Sequence, residues 1–107
     1  MPRITTHILD LAQGQPAPDV PVKLECSTDN GWRTVADGTT DADGRWAAET
    51  DARADHRLRF ESGAYFARTD TDCFHPFVEI TFSPGPEPHY HVPLLLSPFG
   101  YSTYRGS

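Results

Sequence analysis

The stretch Ile4-Thr5-Thr6-His7-Ile8-Leu9 decides the fold, because apolar and polar side chains alternate along it. Successive side chains of a β-strand point to opposite faces. Ile4 and Ile8 therefore share one face with Thr6, and His7 lies on the other face. The pattern predicts a strand that buries its isoleucines and directs His7 away from the core.

The same pattern of short strands and turns continues along the chain. Val20 to Cys26 alternates in the same way, and Asp29-Asn30-Gly31 predicts a hairpin turn after it. Further strands are predicted at Trp32–Ala36, Arg45-Trp46, Leu58–Phe60, Phe77–Phe82, His89–Leu96 and Tyr101–Arg105. Turns are predicted at Asp41–Gly44 and Pro98–Gly100, and a short helix or helical turn within Glu61–Thr69. Short strands with a turn about every eight to twelve residues predict a β-sandwich or barrel.

Length and composition restrict the function classes. A chain of 107 residues fits one domain, residues 1–107. Its net charge of -6 and its lack of a basic cluster argue against a nucleic-acid partner. Residues 1–20 lack a long apolar run, so we expect no signal peptide, no membrane partner and a cytoplasmic protein. Cys26 and Cys73 match no metal or redox spacing, which predicts reduced thiols, with Cys26 in the core.

Histidines are the first candidates for chemistry, because an imidazole titrates near neutrality and serves as a general acid or base. The segment His89-Tyr90-His91 places two imidazoles on one strand face. His7 and His91 both face outward by strand parity, so two strands of one sheet can present them together. The alternative is that they are solvated surface histidines. His56 and His75 have no local constellation, and we interpret both as structural or solvated.

A metal site is weakly indicated. A His-x-His pair such as His89 and His91 can bind a metal ion, but no acid or cysteine lies at a supporting spacing. We therefore expect no metal. Glycine loops for phosphate and a Gly-x-Ser-x-Gly elbow are also absent from the sequence.

Arg45 and the last four residues are the remaining candidates. Arg45 follows the turn residue Gly44, and its guanidinium offers a rigid fork of donors for carboxylates and planar carbonyl heterocycles. The end, Tyr104-Arg105-Gly106-Ser107, can deliver a guanidinium and a carboxylate into a pocket. The alternatives are an ordinary surface arginine and an ordinary strand end. Together these groups suit a small planar polar substrate, with histidines activating water and arginine stabilising an oxyanion.

Several segments resemble one known family. Ile4–Asp10, followed by Gly14-Gln15-Pro16-Ala17, resembles the opening signature of the 5-hydroxyisourate hydrolases, the transthyretin-related proteins. His89–Ser107 resembles their closing signature over its full length, and Thr40–Arg45 and Phe60–Phe66 also fit. The departures are small: His75 stands where tyrosine is more usual, and Trp46 is bulkier than expected.

The resemblance implies an all-β, transthyretin-like (prealbumin-like) β-sandwich of two four-stranded sheets with one short helix. It implies a homotetramer, built as a dimer of dimers, with active sites in the channel between the dimers. It also implies a reaction in urate degradation within purine metabolism. This is hydrolysis of a cyclic amide C–N bond of 5-hydroxyisourate, giving 2-oxo-4-hydroxy-4-carboxy-5-ureidoimidazoline, with no metal or organic cofactor.

The resemblance also implies the site residues. The catalytic residues implied are His7, Arg45, His91 and Ser107, and the substrate-binding residues are His7, Arg45, His91, Tyr104, Arg105, Gly106 and Ser107. Which histidine is the base, and whether Ser107 acts through its hydroxyl or a carboxylate, stays open at this point. The rival functions are a small-ligand carrier like transthyretin and a purely structural sandwich, since a fold does not fix a function. The vertebrate carrier lacks these histidines and continues past the position of the terminal Tyr-Arg-Gly-Ser.

Overall fold

Short β-strands make up nearly all regular structure in the computed structural model, which describes residues 1–107. The elements are β1 (Arg3–Asp10), β2 (Gln15–Pro16), β3 (Pro21–Thr28), β4 (Gly31–Thr39), β5 (Arg45–Glu49), β6 (His56–Phe60), α1 (Ser62–Ala67), β7 (Val78–Phe82), β8 (His89–His91), β9 (Leu94–Ser97) and β10 (Gly100–Thr103). They form two sheets.

Strand β1 is the centre of the first sheet. Strands β5 and β2 lie end to end along one side of it, both antiparallel, and β8 and β9 lie end to end along the other side, both parallel. Strand β10 pairs with β9 and forms an edge. The sheet therefore contains six segments but is only four strands wide. The second sheet has the order β4-β3-β6-β7 and is antiparallel throughout, which confirms the predicted sandwich of two four-stranded sheets.

The alternation predicted for β1 is confirmed. Ile4 and Ile8 are fully buried and Thr6 is 1% exposed, whereas Thr5 and His7 on the opposite face are half-buried. Cys26 is buried as a free thiol, as its parity predicts. Fully burying one such aliphatic side chain contributes roughly 1.5–3 kcal/mol. This burial fixes the register of β1 and, with it, the outward direction of His7.

The predicted strand His89–Leu96 was wrong in one respect, because Val92 and Pro93 interrupt it between β8 and β9. Proline has no N–H to donate to a ladder. The interruption leaves few backbone groups unpaired: the carbonyl of Val92 accepts from Thr6 Oγ1 at 2.6 Å, and that of Pro93 accepts from Thr103 Oγ1 at 2.7 Å. The last predicted strand was also too long, since β10 ends at Thr103.

The predicted helix is confirmed as α1, which is tied to the end of β1 by Tyr65. The Tyr65 hydroxyl donates to Asp10 Oδ2 at 2.7 Å, and Asp10 Oδ1 accepts from the N–H groups of Ala12 and Gln13. Burial, and then this hydrogen bond to Asp10, raises the pKa of Tyr65 to about 12. With six residues, α1 is too short to cross a membrane, and no helix of sufficient length and hydropathy is present.

Candidate active site

The outward face of β1 gathers residues from three strands at one place. Arg45 of β5 lies directly opposite His7, and His91 of β8 lies directly opposite Thr5 on the other side of β1. In an antiparallel pair such as β1 and β5, directly opposed residues have Cβ atoms about 4.5–5.5 Å apart. Thr5 and His7 are two residues apart and share a face. The sheet therefore brings His7, Arg45 and His91 to one patch.

A tight turn before β5 places Arg45. Asp41 Oδ1 accepts from the N–H groups of Asp43 at 2.9 Å and Arg45 at 3.0 Å. Gly44 has a φ of 74°, and its carbonyl accepts from the N–H of Ile8 at 2.8 Å. The turn is thereby hydrogen-bonded to β1 beside His7, so the position of the guanidinium depends on Gly44.

We expect the substitution Gly44→Ala to destabilise the protein. A Cβ at this position would lie 2.5 Å from the Ile8 carbonyl oxygen, in a backbone conformation that alanine rarely adopts. A strained residue of this kind costs about 1–3 kcal/mol, and the clash adds to it. The free energy of unfolding in urea measures the loss. Gly14→Ala is the matched control, because its φ of 66° is similar but nothing lies within 4 Å. Equal losses in the two variants would show that the Ile8 contact is unimportant.

Thr5 connects two imidazoles beside this patch. Its Oγ1 lies 2.7 Å from His89 Nε2 and 2.8 Å from His91 Nδ1. Burial, and after it the positive charges of His89, Arg45 and His7, holds the pKa of His91 below its usual range. The lowered pKa favours the neutral form of His91, in which one ring nitrogen can accept a proton.

The segment after β10 crosses His91 at Gly106. The N–H of Gly106 donates to the His91 carbonyl at 2.8 Å. A Cβ at Gly106 would lie 2.5 Å from His91 Cδ2, so only glycine fits between the backbone and the imidazole. Ser107 follows directly and reaches the same cleft as His91.

A polar cleft of about 410 Å³ lies over this patch. It is lined by Arg3, Thr5, Thr6, Asp41, Arg45, Trp46, Ala47, His89, His91 and Ser107. The lining contains two guanidinium groups and one side-chain carboxylate. The cleft therefore suits a ligand with carbonyl or developing anionic oxygens. No three His, Cys, Asp or Glu side chains are grouped so as to hold a metal ion.

The structure places the predicted site residues in two groups. Arg45, His91 and Ser107 line the cleft, with His7 beside Arg45 and Gly106 against His91. Tyr104 and Arg105 line a separate cavity of about 360 Å³, which His91 also borders from its other side. There the Arg105 guanidinium lies 5.1 Å from the centre of the Tyr90 ring.

Among the residues of the cleft, the sequence interpretation assigned no catalytic or substrate-binding role to Arg3, Thr5 or His89. Strand parity was the available signal. Arg3 and Thr5 share the outward face of His7, and His89 shares that of His91. What parity does not show is that β1 and β8 are paired in the register that sets Thr5 beside both imidazoles.

Two other residues singled out from the sequence have packing roles. His56 is fully buried and hydrogen-bonds Thr50 Oγ1 at 2.8 Å and the Ala54 carbonyl at 2.7 Å, which confirms a structural role. The indole of Trp46 packs on Gly38, where a Cβ would lie 2.6 Å from Nε1. Trp46 also packs against the core and contributes to the lining of the cleft.

The comparisons with known proteins all indicate the same protein family. The profile of the HIUase/Transthyretin family matches residues 4–106. The 5-hydroxyisourate hydrolase of Salmonella dublin is 47% identical over 109 residues, covering 97% of this chain and 80% of that protein. The probable 5-hydroxyisourate hydrolase of Schizosaccharomyces pombe is 40% identical and covers 99% of this chain and 92% of that protein.

Solved structures show the same fold in both functional branches. The 5-hydroxyisourate hydrolase of Klebsiella pneumoniae has a TM-score of 0.88 and 39% identity, covering all of both chains. Transthyretin from Sparus aurata has a TM-score of 0.89 and 34% identity, covering 96% of this chain and 95% of that one. The backbone alone therefore does not separate a hydrolase from a carrier, and the side chains of the cleft have to do so.

Proposed function

The chain belongs to the HIUase/Transthyretin family, and from that membership we propose that it is a hydrolase that opens the ring of 5-hydroxyisourate. The observation that carries this proposal is the patch on β1, where Arg45 opposes His7 and His91 opposes Thr5. The relatives named as 5-hydroxyisourate hydrolases, at up to 47% identity, support it. In this proposal residues 1–107 form one hydrolase domain of purine degradation.

His91 is the proposed general base. Its lowered pKa favours the neutral ring, which accepts a proton from a water molecule at pH 7. The resulting hydroxide adds to a carbonyl carbon of the substrate ring. The C–N bond then breaks, and the leaving nitrogen takes a proton from the protonated His91 or from His7. The products are a carboxylate and an N–H group, as in 2-oxo-4-hydroxy-4-carboxy-5-ureidoimidazoline.

Arg45 is proposed to bind the substrate and to stabilise the oxyanion. Its main-chain N–H is fixed by Asp41, and its strand by five paired residues of β1. These contacts fix the main chain of Arg45 at the edge of the cleft, from which its guanidinium can reach the charge that develops on the carbonyl oxygen. Arg3 lines the same cleft and adds a second positive charge.

The last residues are proposed to complete the substrate site. Ser107 lines the cleft and is proposed as a catalytic residue that hydrogen-bonds the substrate. Gly106 allows the chain to cross His91. Tyr104 and Arg105 are proposed to contribute to substrate binding by holding this segment in place, since Arg105 stacks on the Tyr90 ring.

A cytoplasmic homotetramer, arranged as a dimer of dimers, is the proposed assembly. The cleft is open on the outward face of the first sheet, so a second pair of subunits can close it. Exposed aromatic side chains near the β10 edge support association, with Phe99 72% and Tyr104 58% exposed. Light scattering of the purified protein measures the mass. No metal or organic cofactor enters the proposed reaction.

The proposed role of His91 predicts the acidic limb of the pH profile. Protonation of His91 removes the base, so kcat/KM falls as the pH drops through the pKa of this residue. Burial and the charges of His89, Arg45 and His7 lower that pKa, so the apparent pKa of the limb is expected to lie below the ordinary histidine value of about 6.5. Initial rates measured across the acidic range give this value. A limb centred above the ordinary value would contradict the assignment of His91 as the base.

The experiment that tests the function compares hydrolysis of 5-hydroxyisourate with binding of a carrier ligand. The purified protein is mixed with freshly generated 5-hydroxyisourate, and its loss is followed against the uncatalysed reaction. Titration with thyroxine, the ligand named with the sea bream transthyretin structure, is followed by calorimetry in parallel. Rapid hydrolysis without thyroxine binding supports the hydrolase. Tight thyroxine binding with no hydrolysis supports the carrier instead.

A further inference from the structure

Thr5 stands between the imidazoles of His89 and His91. The two ring centres are 6.4 Å apart, and the hydroxyl oxygen of Thr5 is 2.7 Å from one ring and 2.8 Å from the other. His89 is exposed, whereas His91 is half-buried. The two rings are therefore connected by hydrogen bonds to one hydroxyl group rather than by direct contact.

The Thr5 hydroxyl is held firmly in this position. Its backbone is paired on both sides of β1, with Ala47 of β5 and with His91 of β8. Threonine is also stiff about χ1 because it is β-branched. Thr6, the next residue of β1, bonds a carbonyl, that of Val92. Thr5 instead hydrogen-bonds two side chains that line the cleft, those of His89 and His91.

A single hydroxyl proton makes the two rings interdependent. A hydroxyl has one proton to donate, so Thr5 can donate to only one of the two ring nitrogens, and at least one ring has to present an N–H to it. In one arrangement His91 carries its proton on Nδ1 and leaves Nε2 bare. In the reverse arrangement His91 Nδ1 accepts from Thr5, and Nε2 carries the proton and is no longer a base.

The first arrangement leaves Nε2 of His91 able to act as a base, and the exposure of His89 is compatible with it. The exposed ring of His89 can accept the Thr5 proton at Nε2 while its Nδ1–H donates to water. The bonds then run from His91 Nδ1–H to Thr5 Oγ1, and from the Thr5 hydroxyl to His89 Nε2.

We infer that Thr5 and His89 are positioning residues that hold His91 in the tautomer with an unprotonated Nε2. Their catalytic importance rests on the proposed function, in which His91 accepts a proton from water. Neither residue needs to touch the substrate. Thr5 orients the His91 ring and defines its tautomer, and His89 provides the acceptor that keeps the Thr5 hydroxyl pointing away from His91.

The first test is spectroscopic and needs no substrate. Ring nitrogen chemical shifts of His91 are measured by NMR in the full-length protein labelled with ¹⁵N, above the pKa of His91. The wild type is expected to show Nδ1 protonated and Nε2 unprotonated. Thr5→Val has the same shape without a hydroxyl and is expected to show a mixture of tautomers. An unchanged tautomer in Thr5→Val would overturn the inference, whatever the activity.

The second test uses paired variants and kinetics. Thr5→Val is expected to lower kcat about tenfold or more with little change in KM. In this variant the Nε2 atom of His91 is protonated in part of the molecules, and these molecules lack the base. Thr5→Ser keeps a hydroxyl and is expected to restore most of kcat. His89→Gln keeps an acceptor near the Nε2 position, whereas His89→Phe removes it, so only the phenylalanine variant should lose activity.

Non-additivity and a distant control complete the design. Thr5→Val and His89→Phe interrupt the same chain of hydrogen bonds, so the double variant should lose little more than either single one. Thr34→Val, an exposed position of β4, is the control for the same chemical change and should leave kcat unaltered. Additive losses, or no rescue by Thr5→Ser, would overturn the inference. A wild type that shows the expected tautomer but no hydrolysis would instead refute the proposed function.

Discussion

Replacing His91 with asparagine is expected to lower kcat/KM by about 10²- to 10⁴-fold, the contribution typical of a general base. The asparagine amide can occupy the place of Nδ1 and keep the contact to Thr5, which lies 2.8 Å from that nitrogen. It has no atom at the place of Nε2. The substitution therefore removes the proposed base and leaves the strand pairing of β8 intact. Steady-state rates with freshly generated 5-hydroxyisourate measure the effect.

His75→Asn is the control for this substitution. His75 is also half-buried, but its ring packs edge-on against Phe74 and Tyr101 at 5.0 and 5.1 Å and does not line the cleft. Its variant should keep activity close to that of the wild type. Circular dichroism and thermal unfolding confirm that both variants fold. Near-normal activity of folded His91→Asn would remove this residue from the mechanism.

The substitution Gly106→Ala is expected to lower kcat by about 10²-fold, because a displacement of roughly 1 Å at a catalytic group has an effect of this size. The new Cβ would lie 2.5 Å from His91 Cδ2 and 3.2 Å from Cγ. Carbon atoms need a separation of about 3.5–4.0 Å. Either the imidazole or the segment that carries Ser107 has to move, and both belong to the proposed site.

Gly100→Ala is the matched control in the same part of the chain. Its Cβ would meet only Ser97 Oγ at 3.8 Å, an ordinary contact. Activity and thermal stability should therefore stay near those of the wild type. Gly106→Ala should lose activity while its thermal unfolding changes little, since β10 ends before it. Equal kcat values for the two variants would show that the close packing of Gly106 on His91 is irrelevant to catalysis.

Local patterns in the sequence predict most of the fold. Alternation in β1 defines the buried isoleucines and the outward direction of His7, because burial of one face acts on each residue of a strand. The turn at Asp41–Gly44 and the helix at Ser62–Ala67 follow from short-range signals of the same kind. What local patterns do not predict is the break at Val92 and Pro93, where threonine side chains from elsewhere in the chain satisfy the carbonyls.

The candidate site is only partly readable from the sequence. Parity places His7 and His91 outward, but their proximity depends on the parallel pairing of β8 with β1, between residues more than eighty positions apart. The same pairing sets Thr5 beside both imidazoles, a role that no spacing indicates. The structure also separates Tyr104 and Arg105 from the cleft, although they adjoin Gly106 and Ser107 in the sequence. These relations arise from tertiary packing.

The most direct measurement is the rate at which the purified protein removes freshly generated 5-hydroxyisourate, with wild type and His91→Asn at equal concentration. A hydrolase with its base at His91 predicts rapid loss of the substrate with the wild type and loss near the uncatalysed rate with the variant. Loss at the uncatalysed rate with the folded wild type would contradict the proposed function. Equal rapid loss with both proteins would contradict the assignment of the site.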